Sequence, residues 1–180
     1  PNEGEDMQMF ERDVPGENKA GLSGQSIGNL PLETCETMNG MWGYKVEDQN
    51  YKSTQELIQL LVRTAAKGAN LLLNIGPQPD GNLPNAALER LRSMGEWLHS
   101  RAGESIYGTK AGSVAMGDSI VSTQSNDGKC LYIHLLKTQT SATSITLPME
   151  VHRFKRVTTL MNSEAVTYKY DKKRKQTTFY

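Results

Sequence analysis

The chain has 180 residues, which is enough for one domain and part of a second. Its 20 basic residues balance its 20 acidic ones, so no field over the whole chain attracts nucleic acid or an anionic membrane surface. No apolar run approaches the roughly 20 residues of a membrane-spanning helix. We therefore expect neither a nucleic-acid partner nor a membrane span.

The first 31 residues are polar and irregular, with three prolines and several glycines. This composition predicts a long loop, and long loops in compact enzymes are usually functional. A short strand is predicted for residues 32–38, which include two glutamates. Several aromatic and polar residues follow up to Tyr44.

The segment after Tyr44 predicts a helix, a strand and a second helix. Ser53 and Glu56 form a capping box, and leucines recur at helical spacing up to Gly68, where the first helix should end. Residues 71–75 are apolar on both faces, as expected of a parallel strand that is buried under helices. Pro84 should open the second helix and Gly103 should end it.

The pattern changes after Gly108, where short alternating runs replace the helices. An Asp-Gly pair at 127–128 predicts a hairpin turn, and residues 171–175 predict another connection. Strands are expected at residues 119–123, 129–137, 144–147, 157–160, 165–170 and 176–180. Many short strands at close spacing favour an antiparallel sandwich.

These elements predict an α/β part followed by an all-β part. Residues 1–108 would form the C-terminal part of a (β/α)8-like barrel, and residues 109–180 most of an antiparallel β-sandwich. Two β/α units cannot close an eight-stranded barrel, so we expect the chain to be a piece of a longer enzyme, truncated at both ends.

Cysteine and histidine usage gives no sign of a metal. Cys35 and Cys130 could form one disulfide, although two buried free thiols are the preferred prediction. His99, His134 and His152 have no ligand at metal spacing, and His134 is predicted to lie on a sheet face. We expect no metal site from these residues.

Several motifs occur together in a fixed order. They are the residues 33–39 (ETCETMN), 42–44 (WGY), 71–77 (LLLNIGP), 80–81 (DG), 95–98 (GEWL) and 106–109 (IYGT). Together they strongly resemble the retaining α-L-fucosidases of glycoside hydrolase family 29. The resemblance covers residues from about Phe10 to Thr109. The sequence at residues 10–16 and 30–33 is most similar to that of enzymes from gut Bacteroides-type bacteria.

The resemblance implies a (β/α)8-like barrel with a C-terminal β-sandwich and hydrolysis of terminal α-linked L-fucose with retention. Such enzymes use an Asp nucleophile and a Glu general acid/base and need no cofactor. No Trp-x-Asp sequence precedes Glu11, so the nucleophile is expected outside this chain, and the chain alone should be inactive. The partners would be a fucosylated oligosaccharide or glycoconjugate and the missing N-terminal part of the enzyme. The resemblance also implies a periplasmic or secreted location.

Glu11 is the candidate acid/base, because the run from Phe10 to Gly16 fits the position of that residue in the resembled family. The reaction needs a carboxyl group that protonates the leaving oxygen and then, as carboxylate, activates water. Without the resemblance, Glu11 would be one solvated loop glutamate among Glu3, Glu5 and Glu17.

Trp42 and Glu33 are the candidate substrate-binding residues. An aromatic ring near a strand end suits the C–H face of a sugar, so Trp42 is expected to pack against the fucose ring and its methyl group. The alternative is that Trp42 is a core residue. Glu33 is interpreted mainly as an internal hydrogen-bonding brace, with substrate contact as the alternative. Glu36 should be structural. Asn74 should cap the turn at Gly76 and Pro77, with reach into the active site as the alternative.

The residues alone, without the resemblance, allow two other functions. The chain could be a non-catalytic carbohydrate-binding or structural module, or part of another retaining barrel glycosidase such as a galactosidase. A Trp-x-Asp strand end upstream would favour the fucosidase. The basic run at residues 172–175 is predicted to be a solvated hairpin tip, since no aromatic stacking motif accompanies it.

Overall fold

The computed structural model describes residues 4–137, 143–150 and 154–180. It has two α-helices, a short 3-10 helix and nine strands in these residues. In chain order they are β1 (Gln8–Glu11), β2 (Leu32–Thr37), α1 (Thr54–Ala66), β3 (Ala69–Asn74), α2 (Asn85–His99), the 3-10 helix (Arg101–Ser105), β4 (Thr109–Ala111), β5 (Ile120–Ser125), β6 (Leu131–Leu135), β7 (Ile145–Leu147), β8 (Tyr168–Asp171) and β9 (Gln176–Phe179).

The first three strands form a parallel sheet in the order β1-β2-β3. Glu11 pairs with Cys35, and Cys35 pairs with Leu72, so the three strands share one register. Helix α1 is the crossover between β2 and β3. Parallel strands in sequential order with a helical crossover are the repeating unit of a β/α structure.

The two faces of this sheet differ in burial. Phe10 and Thr34 lie in one row and are fully buried. The neighbouring rows of the opposite face include Met9 and Leu72, which are 41% and 46% exposed. Since side chains alternate between faces along a strand, the helices cover one face and leave the other open.

Helices α1 and α2 build the core against the covered face. Leu57 of α1 and Ala87 and Met94 of α2 pack with Met38, which directly follows β2. The capping box at Ser53 and Glu56 is present, with both reciprocal hydrogen bonds, and confirms that prediction. Gly68 has φ of 73° after α1, a left-handed conformation that glycine adopts without steric cost.

The remaining strands form two antiparallel sheets of three, in the orders β4-β5-β6 and β7-β9-β8. The predicted hairpins at residues 127–128 and 171–175 connect β5 to β6 and β8 to β9. The first of these sheets packs beside α1, and Gln59 of α1 donates a hydrogen bond to the Leu136 carbonyl oxygen at 2.8 Å. The predicted change from parallel to antiparallel structure is therefore confirmed.

The prediction that residues 1–31 form only a loop is wrong, because β1 lies within them. Its pattern of Gln8, Met9, Phe10 and Glu11 is too short to stand out as a strand. Gln8 is polar but 4% exposed, because its side chain donates to the Ser26 carbonyl oxygen and accepts from the Gly28 backbone N–H. Those bonds come from the loop that follows, which a local pattern does not reveal.

Other elements differ in detail from their predictions. Strand β3 is not buried on both faces, since Leu72 lies on the open one. Helix α2 ends at His99 rather than Gly103, because Ser100 begins the 3-10 helix with a side-chain cap. Residues 157–160 contain only an isolated bridge, between Thr158 and Ala165, and β4 was not predicted.

Both cysteines are free, which excludes the disulfide. They are not the buried thiols that were predicted, however: Cys35 is half-buried and Cys130 is exposed. His134 lies in β6 on a sheet face as predicted, while His152 is outside the described residues.

Candidate active site at the carboxyl edge of the parallel sheet

Glu11 is the last residue of β1 and lies on the open face of the parallel sheet. It was predicted in a loop after a strand, whereas the structure ends the strand on it. The carboxyl end of a parallel strand, on the face turned away from the helices, is where barrel enzymes place catalytic groups. Glu11 is exposed there, so its carboxyl group is free to meet a ligand.

The loop after Glu11 folds back and holds the end of β1. Ser23 is 2% exposed, and its hydroxyl donates to the Glu11 carbonyl oxygen at 2.9 Å. Asp13 is buried, where its carboxylate accepts from the Ala20 N–H and its carbonyl oxygen accepts from Thr34. These bonds fix the backbone that carries Glu11, and they occupy Asp13 with a structural task.

Trp42 lies in the segment of residues 38–44, which follows β2 at the same edge; we call this segment the Trp42 loop. The Arg12 guanidinium lies over the Trp42 ring, 5.0 Å from its centroid, and donates to the Gly40 carbonyl oxygen at 3.0 Å. Asn74 donates from Nδ2 to the Trp42 carbonyl oxygen at 2.7 Å. Glu11 and Trp42 are thus brought to one edge, joined through Arg12.

The Trp42 loop also packs tightly against the segment after β3. A Cβ atom built on Gly76 would lie 2.4 Å from the Tyr44 nitrogen, closer than a real Cβ approaches any heavy atom. Glycine at position 76 is therefore needed for this contact. Asn74 was predicted to cap the turn at Gly76, but its side chain instead holds the Trp42 loop.

Glu36 lies on the covered face, and its Oε1 accepts a hydrogen bond from the Thr37 N–H at 2.7 Å. The Lys52 ammonium is 3.6 Å from the same oxygen and donates to the Thr37 carbonyl oxygen at 2.7 Å. A buried carboxylate needs such partners. These contacts are consistent with the structural role predicted for Glu36.

Glu33 shares the open face with Glu11, but it lies nearer the amino end of the sheet. It pairs with Met9 in the register, while Glu11 pairs with Cys35 two residues further along β2. Burial raises the pKa of the Cys35 thiol and the negative charge of Glu11 raises it further, as expected for neighbouring side chains. Glu33 therefore shares the open face with Glu11 but lies further from the carboxyl edge of the sheet.

Sequence reasoning missed Arg12 and Lys52. Arg12 is one of only three non-glycine residues with positive φ among the described residues, at 60°. No local pattern predicts that conformation for arginine, and its partners lie about 30 positions away. Its place directly after Glu11 was the one signal that could have drawn attention to it.

Within the described ranges, no group of three or more His, Cys, Asp or Glu side chains could hold a metal ion. No helix among those residues is long and apolar enough to cross a membrane.

Comparison with known proteins identifies the family of the chain. The family model described as alpha-L-fucosidase matches residues 1–104, more than half of the chain. The chain belongs to the alpha-L-fucosidase family. All three candidate residues, Glu11, Glu33 and Trp42, lie within the matched part.

Curated relatives match the chain over a limited stretch. The plasma alpha-L-fucosidase of Rattus norvegicus is 46% identical over 80 residues, which are 43% of this chain and 17% of that protein. The tissue alpha-L-fucosidase of Mus musculus is 38% identical over 89 residues, or 48% of this chain and 20% of that protein. The chain thus matches about a fifth or less of the length of these fucosidases.

Solved fucosidase structures resemble nearly the whole chain. Alpha-L-fucosidase isoenzyme 1 from Paenibacillus thiaminolyticus covers 97% of it at 26% identity and a TM-score of 0.73, using 44% of its own length. The alpha-fucosidase of Thermotoga maritima in complex with a mechanism-based inhibitor matches 97% of this chain at 25% identity, with a TM-score of 0.75. The match takes up 38% of that enzyme's own chain. A glycoside hydrolase family 29 fucosidase from Bacteroides thetaiotaomicron shares the fold, with a TM-score of 0.77 at 20% identity and coverage of 97% and 39%.

Proposed function

We propose that this chain is part of an exo-acting retaining alpha-L-fucosidase that releases terminal α-linked L-fucose from oligosaccharides or glycoconjugates. The observation that supports the proposal is that Glu11 ends β1 at the carboxyl edge of the parallel sheet, while Arg12, the next residue, contacts the Trp42 ring. An exposed carboxyl group and an aromatic ring at one such edge suit the cleavage of a sugar.

Glu11 would act as the general acid/base. In the first step it protonates the glycosidic oxygen while an Asp nucleophile attacks the anomeric carbon, which leaves a fucosyl-enzyme ester. In the second step the Glu11 carboxylate takes a proton from water, and that water hydrolyses the ester. A retaining site holds its two carboxyl groups about 5–5.5 Å apart. The nucleophile would come from sequence outside this chain, in keeping with the small share of its relatives that the chain spans.

Trp42 would supply an apolar wall for the fucose ring and its methyl group. Its ring is half-buried, and the loop that carries it is anchored from two sides, by Arg12 and by Asn74. An anchored ring can contact a sugar with little further loss of freedom. Glu33 would serve lower on the same face, as a brace or a substrate contact.

The finer architecture belongs to the same proposal. Residues 1–108 would be the C-terminal part of the catalytic (β/α)8-like barrel, with the open face of the parallel sheet turned to the barrel interior. Residues 109–180 would be the C-terminal β-sandwich. A location outside the cytoplasm, secreted or periplasmic, is in keeping with the plasma fucosidases among the relatives. The non-catalytic module and the galactosidase are not favoured by any relative reported above.

The stereochemistry of the product tests the proposal. In the longer enzyme that carries this chain, NMR during hydrolysis of an aryl α-L-fucoside should show α-L-fucose as the first product, before mutarotation. Glu11→Gln should abolish most of that turnover, whereas Glu89→Gln on the exposed side of α2 should not. First release of the β-anomer, or full activity of Glu11→Gln, would reject the assignment.

A further inference from the structure

Arg12 is placed between the two candidate site residues, and its role is not explained by the reaction itself. Its backbone N–H donates to the Cys35 carbonyl oxygen at 2.8 Å, which extends the β1–β2 pairing by one residue beyond Glu11. Its guanidinium then turns over the Trp42 ring and reaches Gly40. One residue therefore contacts both strands' ends and the Trp42 loop.

We propose that Arg12 is a positioning residue that fixes Glu11 relative to Trp42, so that the acid/base and the sugar wall keep one geometry. The inference rests on the proposed function of Glu11 and Trp42. A guanidinium above an indole face is attracted by the ring's quadrupole, and the hydrogen bond to Gly40 sets its direction. Because Arg12 directly follows Glu11, any shift of the Trp42 loop is transmitted to the end of β1.

The backbone of Arg12 supports this role. Its φ of 60° lies in the left-handed region, which costs conformational energy for any residue with a Cβ. Glycine would adopt this conformation without that cost. Strained residues of this kind persist where their surroundings fix them, and they cluster at functional sites. Glycine would avoid the backbone cost at position 12, but it would lack the side chain that contacts the Trp42 ring and Gly40.

The Arg12 guanidinium makes its contacts to the Trp42 loop. No ion pair among the described parts of the chain includes Arg12; its partners are the Trp42 ring and the Gly40 carbonyl oxygen. The guanidinium covers one face of the Trp42 ring, so that face is not open to a sugar while the contact is kept.

The test compares Arg12→Gly, Arg12→Lys and the control Arg92→Ala in the longer enzyme. Arg92 is exposed on α2, away from the edge. Aryl α-L-fucosides with good and with poor leaving groups are hydrolysed, and melting temperatures are recorded. Arg12→Gly should keep or raise the melting temperature, since the backbone strain is relieved. Its kcat/KM should nevertheless fall about tenfold, with a raised KM and a larger kcat loss for the poor leaving group.

Arg12→Lys should recover part of the loss, because an ammonium group can still lie over the ring but lacks the planar fork. If Arg12→Gly does not fold, wild-type kinetics of Arg12→Lys overturn the inference. If Arg12→Gly folds, wild-type kinetics of both variants overturn it. A loss that is equal for all leaving groups and follows the melting temperature would do the same. A loss confined to substrates with an anionic aglycone would make Arg12 a substrate ligand instead, which also overturns positioning.

Glu11→Ala is measured in parallel and distinguishes a failure of the proposed function from a failure of the proposed role of Arg12. If Glu11→Ala shows no leaving-group dependence, the proposed function fails. If Glu11→Ala shows that dependence while Arg12→Gly and Arg12→Lys behave as wild type, only the role of Arg12 fails.

Discussion

The side-chain amide of Asn74 donates a hydrogen bond to the backbone carbonyl oxygen of Trp42, with 2.7 Å between nitrogen and oxygen. The same nitrogen is 3.2 Å from the Thr37 hydroxyl oxygen. The last residue of β3 therefore supports the loop that follows β2. This hydrogen bond from the sheet limits the conformational freedom of the backbone at Trp42.

Asn74→Ala should raise KM for fucosides and lower the free energy of unfolding by about 1–2 kcal/mol, because the Trp42 carbonyl loses its donor. Asn74→Asp should be worse, since a carboxylate cannot donate and would face an acceptor. Urea unfolding and steady-state kinetics measure both effects. Asn82→Ala, which removes an amide from an exposed turn, is the control. A KM unchanged in both Asn74 variants would argue against support of the wall by Asn74.

Glu11→Ala in the longer enzyme should severely slow substrates with poor leaving groups and spare good ones in the first step, because these need little protonation. Azide should then restore the second step and give α-fucosyl azide, because it enters the space of the removed carboxylate and displaces the Asp ester of the β-fucosyl-enzyme with inversion. Kinetics with and without azide, and NMR of the product, check this. Glu33→Ala and Glu36→Ala should show no azide rescue. Near-normal activity of Glu11→Ala together with rescue of either control would reassign the acid/base.

Trp42→Ala should raise KM and weaken fucoside binding by roughly 1–3 kcal/mol, the scale of one well-packed aromatic contact. The loss should be smaller for a sugar without the C6 methyl group, which has less apolar surface to lose. Kinetics on both sugars and melting curves make the comparison. Trp97→Phe in α2 should affect both sugars equally. Equal losses for Trp42→Ala, with a large drop in melting temperature, would identify Trp42 as a core residue.

The 180-residue chain by itself should not hydrolyse an aryl α-L-fucoside. Without the Asp nucleophile no fucosyl-enzyme ester forms, and a lone acid cannot replace it. The assay uses rigorously purified chain, with the longer enzyme as positive control. Robust turnover would require a nucleophile within the chain, such as Glu33 or Asp13; the structural bonds of Asp13 make it the poorer candidate.

His134 should make stability depend on pH. Burial lowers its pKa to about 4, against about 6.5 for an unperturbed histidine. Between these pH values the unfolded chain binds more protons than the folded one. The contribution of His134 to the free energy of unfolding is therefore fully present above about pH 6.5 and is lost as the pH falls towards 4. The loss is at most about 3 kcal/mol, from 1.36 kcal/mol per pKa unit.

Urea unfolding at pH 7 and pH 4.5 measures this dependence, and His134→Gln should reduce it. The Thr123 hydroxyl gives its proton to the Ser105 carbonyl oxygen, so the His134 Nε2–H must be the donor in their 3.0 Å contact. Glutamine can still donate there without titrating. His99→Gln on the exposed end of α2 is the control. The same pH dependence in wild type and His134→Gln would exclude His134 as its source.

The sequence by itself determined the local structure and the family resemblance. The capping box at Ser53 and Glu56, the hairpin at residues 127–128 and the change from β/α units to short antiparallel strands all depend on neighbours within a few residues. Their signals are the period of apolar residues and the backbone needs of caps and turns. The motifs of residues 33–44 and 71–77 carried the resemblance for the same reason, being contiguous.

Only the tertiary structure decided which residues meet at the edge of the sheet. Strand alternation alone separates Glu33 from Glu36, but the packed helices decide that Glu36 is covered and Glu33 lies on the open face. Arg12 and Gly40 are 28 positions apart, so neither the ring contact nor the left-handed backbone has a local signal. Strand β1 was missed because bonds from the returning loop, rather than its four residues, hold it in place.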